Sequence, residues 1–184
     1  MSTNTEVLNG RLLGRELELE YSQTWTAYAV VSLRMVMGWT LLQAGIVKLI
    51  DPEWSAAGFL QFAVPEGNPL TSLWQGFAGS LLIDGLVAWG LTLTGLGLIL
   101  GALVRWNAFW GAVMLLFFWA ASLYGGVSQG LPLEHGWVVD DHIVYALLLF
   151  GLGAFGAGRI LGVDAIIERS NIVQRNPWLR YILG

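Results

Sequence analysis

The stretch LRMVMGWTLLQAGIVKL, residues 33–49, is apolar nearly throughout but carries Arg34 near one end and Lys48 near the other. Arg34, Gly38, Leu41, Gly45 and Lys48 step by four, three, four and three. At 100° per residue these positions fall within about 40° of one line on a helix. The stripe reads charge, small, apolar, small, charge. Arg34 stands ~13 Å along the helix from Trp25, and a cation facing lipid at that depth costs about 3 kcal/mol or more. The stripe is therefore expected to face other helices or a partner, with Gly38 and Gly45 leaving room for a helix or a ligand. Two readings of Arg34 follow. It donates to inner headgroups or buried carbonyls, or it offers its guanidinium to a polar ligand such as a quinone carbonyl or a lipid phosphate. Lys48 is near the opposite interface, with Asp51 and Asp84 as possible ion-pair partners.

Both histidines occur in LEHGWVVDDHIVY. His142 follows Asp140 and Asp141, and a histidine beside carboxylates carries protons near neutral pH. His142, Asp84, Lys48 and Asp141 are candidates to meet at one mouth of a bundle, with His142 and Asp84 as proton-relay groups. The competing reading makes the aspartates helix caps. His135 lies only seven residues before His142 and in a loop, which argues against a bis-histidine haem. No acid cage for a transition metal is evident, and with no cysteine in the chain iron–sulfur ligation is excluded.

The elements that must position these residues are transmembrane helices. Of 184 residues, 55% are hydrophobic and 12% charged, about half the charge of a soluble domain. Four stretches approach the ~20 apolar residues that span a bilayer: about 25–50, 81–104, 106–124 and 141–163. The expected fold is all-α, a polytopic four-transmembrane-helix bundle with short interfacial helices. Residues 1–24 form a polar segment with no apolar core of the kind a secretion signal needs, so no cleavage is expected. Within it, ELELEYS alternates as a strand would, or is disordered. Residues 164–184 read as an amphipathic tail broken at Pro177.

Sorting charges by segment orients the chain. Arg11, Arg15, Arg105, Arg159, Arg169, Arg175 and Arg180 fall on one side if four spans alternate. Lys48 is the lone base opposite, among Asp51, Glu53, Glu66, Asp84, Glu134, Asp140 and Asp141. The positive-inside rule then places both termini in the cytoplasm of a cell-membrane protein. A pI near 5.0 argues against nucleic acid as a partner. On the outer side, Asp51-Pro52 resembles a helix start for EWSAAGFLQFA, with Trp54 as interfacial anchor. Gly97 and Gly101 are spaced for close helix packing, and the turn near Arg105 makes the second and third helices antiparallel neighbours.

Three segments together resemble the DoxX/DoxD family across roughly residues 28–168. These are LRMVMGWTLLQAGIVKL, then LILGALVRWNAFWG with Gly101 and Arg105, then VDDHIVYALLLFGLGAFGAGRILGVD with Gly156, Gly158, Arg159, Gly162 and Asp164. The resemblance implies a four-helix membrane bundle, and for some members the small subunit of a thiosulfate:quinone oxidoreductase. The family's early second-span glutamate has no counterpart here; the nearest acid is Asp84. What the resemblance implies is a redox-associated subunit that binds quinone or a lipid headgroup near Arg34, Gly38, Gly45 and Lys48, and acts with a membrane partner. The alternative is a non-catalytic assembly or structural subunit, working as a homo-oligomer or within a complex. A transporter is disfavoured by the short loops and unbroken spans.

Overall fold

The computed structural model describes residues 5–123 and 139–184. His135, Glu134 and the end of the third predicted span at residue 124 lie outside the described residues. Helix dominates, but the chain opens on an antiparallel hairpin, β1 Thr5–Leu12 and β2 Arg15–Ser22. The all-α expectation is corrected there. The alternation in RELELEYS has the period of a strand, and Leu13 and Gly14 both take positive φ (49° and 80°). That pair of dihedrals is what a two-residue hairpin turn of primed type demands.

Helix α1 runs Gln23–Ile50 from an N-cap at Ser22, whose hydroxyl accepts from Trp25 N at 3.5 Å. It is followed by a π-helical turn Phe59–Ala63, α2 Thr71–Phe77, α3 Leu81–Leu100 and α4 Val104–Ser122. After residue 139 come α5 Asp141–Ala154, a 3-10 turn Ala157–Arg159, α6 Asp164–Ile167, α7 Asn171–Arg175 and a second 3-10 turn Pro177–Tyr181. Helices α1, α3 and α4 are long and apolar enough to cross a membrane. At 1.5 Å per residue α5 reaches only ~21 Å, short of the ~30 Å hydrocarbon core.

The fourth predicted span, 141–163, therefore ends early as a helix. The reason is local: Gly156 adopts φ +63° and turns the chain back after Phe155. The EWSAAGFLQFA helix is likewise shorter than expected. Asp51 Oδ1 accepts from Glu53 N at 3.0 Å, making a side-chain turn rather than a helix cap, and helix begins only beyond Ala56. In the tail, Pro177 opens a 3-10 turn.

The core runs between α1, α3, α4 and α5, through Val30, Met37, Leu41, Leu91, Leu98, Ala108, Leu115 and Leu149. Helix α1 packs most extensively on α3, and α4 on α5. A second cluster, Leu60, Trp74 and Ala121, sits under the segment between α1 and α3. The helices' outward faces expose Trp39, Leu86, Trp89, Phe109, Phe117, Leu147 and Phe150, an apolar surface that suits lipid.

Candidate functional site

The α1–α3 contact explains the glycines of the charged stripe. A Cβ at Gly38 would lie 3.0 Å from Gly95 O and from Ile99 N, and one at Gly45 would lie 2.9 Å from Ala88 O. From the other side, a Cβ at Gly95 would lie 2.6 Å from Gly38 O and 2.7 Å from Leu42 Cα. Backbones touch at these points, so the space beside Gly38 and Gly45 is filled by α3. The close-packing residue of α3 is Gly95. Gly97 instead faces the Asn107 side chain on α4, and Gly101 ends α3 at φ +65°. Two bonds close that end, Ala102 N donating to Gly97 O (2.8 Å) and Gly101 N to Leu98 O (3.1 Å), which is the Schellman pattern.

Arg34 is 1% exposed, the most deeply placed cation of the chain's described residues. Its Nη1 donates to Ala157 O and to Ile160 O (2.9 Å), and its Nη2 to Leu161 O (3.2 Å). A guanidinium offers five donors in a fixed fork, and three carbonyls in one irregular segment supply matching acceptors. Arg34 Nε is buried and donates to no group among the described residues.

Asp164 completes this end of the bundle and is 0% exposed. Its Oδ1 accepts from Leu103 N (2.7 Å), and its Oδ2 from Val104 N and Gly184 N (both 2.9 Å). The carboxylate thus caps the start of α4, where orphan N–H groups and the helix dipole favour an anion. Val163 N and Asp164 N donate to Leu100 O and Gly101 O at the end of α3 (3.1 and 2.9 Å). The segment 157–164 is consequently tied to α1 through Arg34, to α3 through backbone bonds and to α4 through Asp164. Asp164 is also near enough to Arg34 to attract it electrostatically, although no ion pair within 4 Å joins them among the described residues.

Backbone geometry at this knot is unusual. Leu103 and Leu161 take φ +50° and +51°, a conformation that costs a non-glycine residue about 1–2 kcal/mol. One donates to Asp164 and the other accepts from Arg34, so the two charged groups hold the strained residues in place. Gly158 and Gly162 let the segment close down. A Cβ at Gly158 would meet Gly184 O at 2.6 Å and Val104 Cγ2 at 2.8 Å, and one at Gly162 would meet Gly101 O at 2.9 Å.

The opposite end is organised differently. Lys48 Nζ donates back to Ala44 O (3.2 Å) and lies 5.4 Å above the Trp54 ring. Asp84 Oδ1 accepts from Ala56 N (2.9 Å), pinning the segment after α1 to the start of α3. His142 Nδ1 donates to Asp140 Oδ2 (2.7 Å) and is 3.4 Å from Asp141 Oδ1. Asp140 also caps α5, its Oδ1 accepting from Ile143 N at 3.1 Å. Asp140, Asp141 and His142 bring three potential metal-ligand groups within 4.8 Å of one another, all from consecutive residues. No hydrogen bond or ion pair links any two of Lys48, Asp84 and His142 among the described residues.

Asn68 was not anticipated from the sequence. It is 5% exposed, and its Nδ2 donates to Ala120 O, Ala121 O and Leu123 O, the unpaired carbonyls at the end of α4. Its Oδ1 accepts from Leu70 N and Trp74 Nε1 (2.9 and 3.3 Å). The turn sequence EGNP was a visible signal for a side chain that bonds its local backbone, but its reach to α4 was not. No protein-family model, curated protein or solved structure matches the chain.

Proposed function

We propose that this protein is a non-catalytic integral-membrane subunit that crosses the bilayer four times, with both termini cytoplasmic, and acts by supporting a partner protein. One observation carries the reading: the face expected to receive a ligand is occupied by the chain itself. Gly38 and Gly45 are filled by α3, and Arg34 donates to Ala157, Ile160 and Leu161. Arginine-rich segments meeting at the Arg34 end, Arg105, Arg159 and Arg180 among them, support the cytoplasmic assignment. Helix α5 serves as the fourth crossing, its short length accommodated by local thinning of the bilayer. The apolar outer faces of α1, α3 and α4 offer the partner its contact surface. Mild-detergent affinity purification should yield a stoichiometric partner whose recovery falls when an outward residue such as Trp89 is changed to alanine. A chain recovered alone after cross-linking in its native membrane contradicts this.

A second reading, a quinone-linked redox subunit in the manner of the DoxX/DoxD resemblance, draws on the proton-carrying group at the start of α5. Histidine is the side chain suited to proton transfer near neutral pH, and Asp140 orients His142 beside Asp141 at the other end of the bundle. Quinone would then bind at that end. Solvent extraction of the purified protein, followed by quinone titration, decides it: no retained quinone and no saturable binding removes this reading.

A further inference from the structure

At the Arg34 end, an open cleft of about 440 Å³ is lined by Arg105, Arg159, Pro177, Trp178, Arg180 and Tyr181. Its three guanidiniums come from three places: the start of α4, the 3-10 turn after α5, and the 3-10 turn near the C-terminal residues. Each is partly used and partly free. Arg105 donates through Nε to Gly153 O (3.2 Å) and through Nη1 to Arg180 O (3.1 Å), leaving Nη2. Arg159 bonds Glu168 through Nε and Nη2, the shortest contact being 2.6 Å, leaving Nη1. The Arg180 guanidinium has no hydrogen-bond partner among the described residues.

Gly156 brings the first two together. A Cβ there would lie 3.2 Å from Arg159 Nη1 and 3.8 Å from Arg105 Nη2, so the free donors of both residues flank the same missing side chain. Glu168 is the acid that faces this group: Arg159 holds its carboxyl below the usual range through hydrogen bonds, and Arg105 and Arg180 add attraction. Asp164 also attracts Arg159, so three positive charges face two carboxylates, of which Glu168 is bonded to Arg159 and Asp164 is spent on the backbone N–H groups of Leu103, Val104 and Gly184. Unspent N–H donors converging on a cleft with surplus positive charge are the chemistry of a phosphate site.

The surroundings select the source of that phosphate. Trp178 and Tyr181 are 61% and 82% exposed on the cleft's lip, and such amphipathic rings settle at the headgroup level of a bilayer. Phe155 and Leu161, also exposed, flank Arg159 in the chain and offer apolar surface to acyl chains. We infer that the Arg105–Arg159–Arg180 cleft binds the phosphate headgroup of an anionic phospholipid from the leaflet on that side. This rests on the membrane reading but not on any partner or redox role.

Native mass spectrometry of the detergent-purified protein tests it, with dioleoyl phosphatidylglycerol, dioleoyl phosphatidylcholine and inorganic phosphate as separate probes. The expected result is saturable retention of phosphatidylglycerol over phosphatidylcholine, weakened about fivefold in Arg180→Gln, as the loss of one surface cation predicts. Arg180 is exposed and bonds nothing with its side chain, so an unchanged melting temperature shows that this variant still folds. Arg159→Lys, which keeps charge but loses the fork, should fall between the two. Equal retention of both lipids overturns the proposal, as does an Arg180→Gln variant that binds like the parent. Displacement of phosphatidylglycerol by inorganic phosphate at equal concentration also overturns it, assigning the cleft to a free anion. Failure of the protein to partition into detergent or vesicles at all removes the membrane reading itself, and is seen before any lipid is added.

Discussion

The two ends of the bundle use charge in opposite ways. At the Arg34 end, Arg34 and Asp164 are 1% and 0% exposed, and each bonds backbone groups from segments far away in sequence. At the other end, Lys48, Asp84 and His142 bond close neighbours or a single loop amide, and His142 keeps 28% of its side chain open. A buried charge survives only when its hydrogen bonds are satisfied, so burial marks where the chain needs a fixed conformation. The knot at the Arg34 end supplies acceptors and donors that an irregular segment between apolar helices cannot obtain from water. The charged groups at the Lys48 end are only partly buried and have no such need. Charge in the first half of the stripe is thus architecture, while charge in the second half stays near the protein surface.

Breaking the knot should have the largest effect. Asp164→Asn replaces one accepting oxygen with a donor facing amides that already donate, and should cost about 3 kcal/mol in reversible unfolding in detergent. Lys48→Met and Asp84→Ala should each cost about 1 kcal/mol or less by the same measurement, because they remove a single part-buried bond and, for Lys48, a cation–π contact. Equal losses at the two ends would erase the distinction drawn between them.

The smallest effect lies on the surface. Because Glu168 has its pKa lowered in the folded protein, the Arg159 pair stabilises above the unfolded carboxyl value of ~4.3 and fades as pH falls through the lower folded one. With Arg159 41% exposed, the pair is worth about 0.2–1 kcal/mol. The melting-temperature gap between the parent and Glu168→Gln should accordingly be present at pH 7 and close below about pH 4. A gap that widens with acid contradicts the sign.

The helices were legible because apolar length and the positions of Gly38 and Gly45 follow directly from a 3.6-residue period. Inward placement of Arg34 was legible for the same reason, and donation to buried carbonyls stood as one of its two readings. Its carbonyl partners were not legible, since Ala157, Ile160 and Leu161 lie more than 120 residues away and act through backbone oxygens that no side-chain type announces. Asp164, the acid that attracts Arg34, comes not from a span but from the segment that folds back after α5. The shortened α5 was hidden too: LLLFGLGAFGAG reads as a continuous apolar run, and only the positive φ of Gly156 reveals the turn. Asn68 likewise bonds carbonyls about 50 residues on.

The central claim, that Arg34 holds the 157–164 segment in place, is tested most directly by amide hydrogen exchange on Arg34→Met beside the parent protein. Local protection reports the free energy of opening a segment. The account predicts that the amides of Val163 and Asp164, with those of Leu103 and Val104 capped by Asp164, exchange at least about tenfold faster in the variant, which corresponds to a loss of about 1.4 kcal/mol, while the α1–α3 contact at Gly38 and Gly95 keeps its protection. Protection at those four amides equal to that of the parent would contradict it.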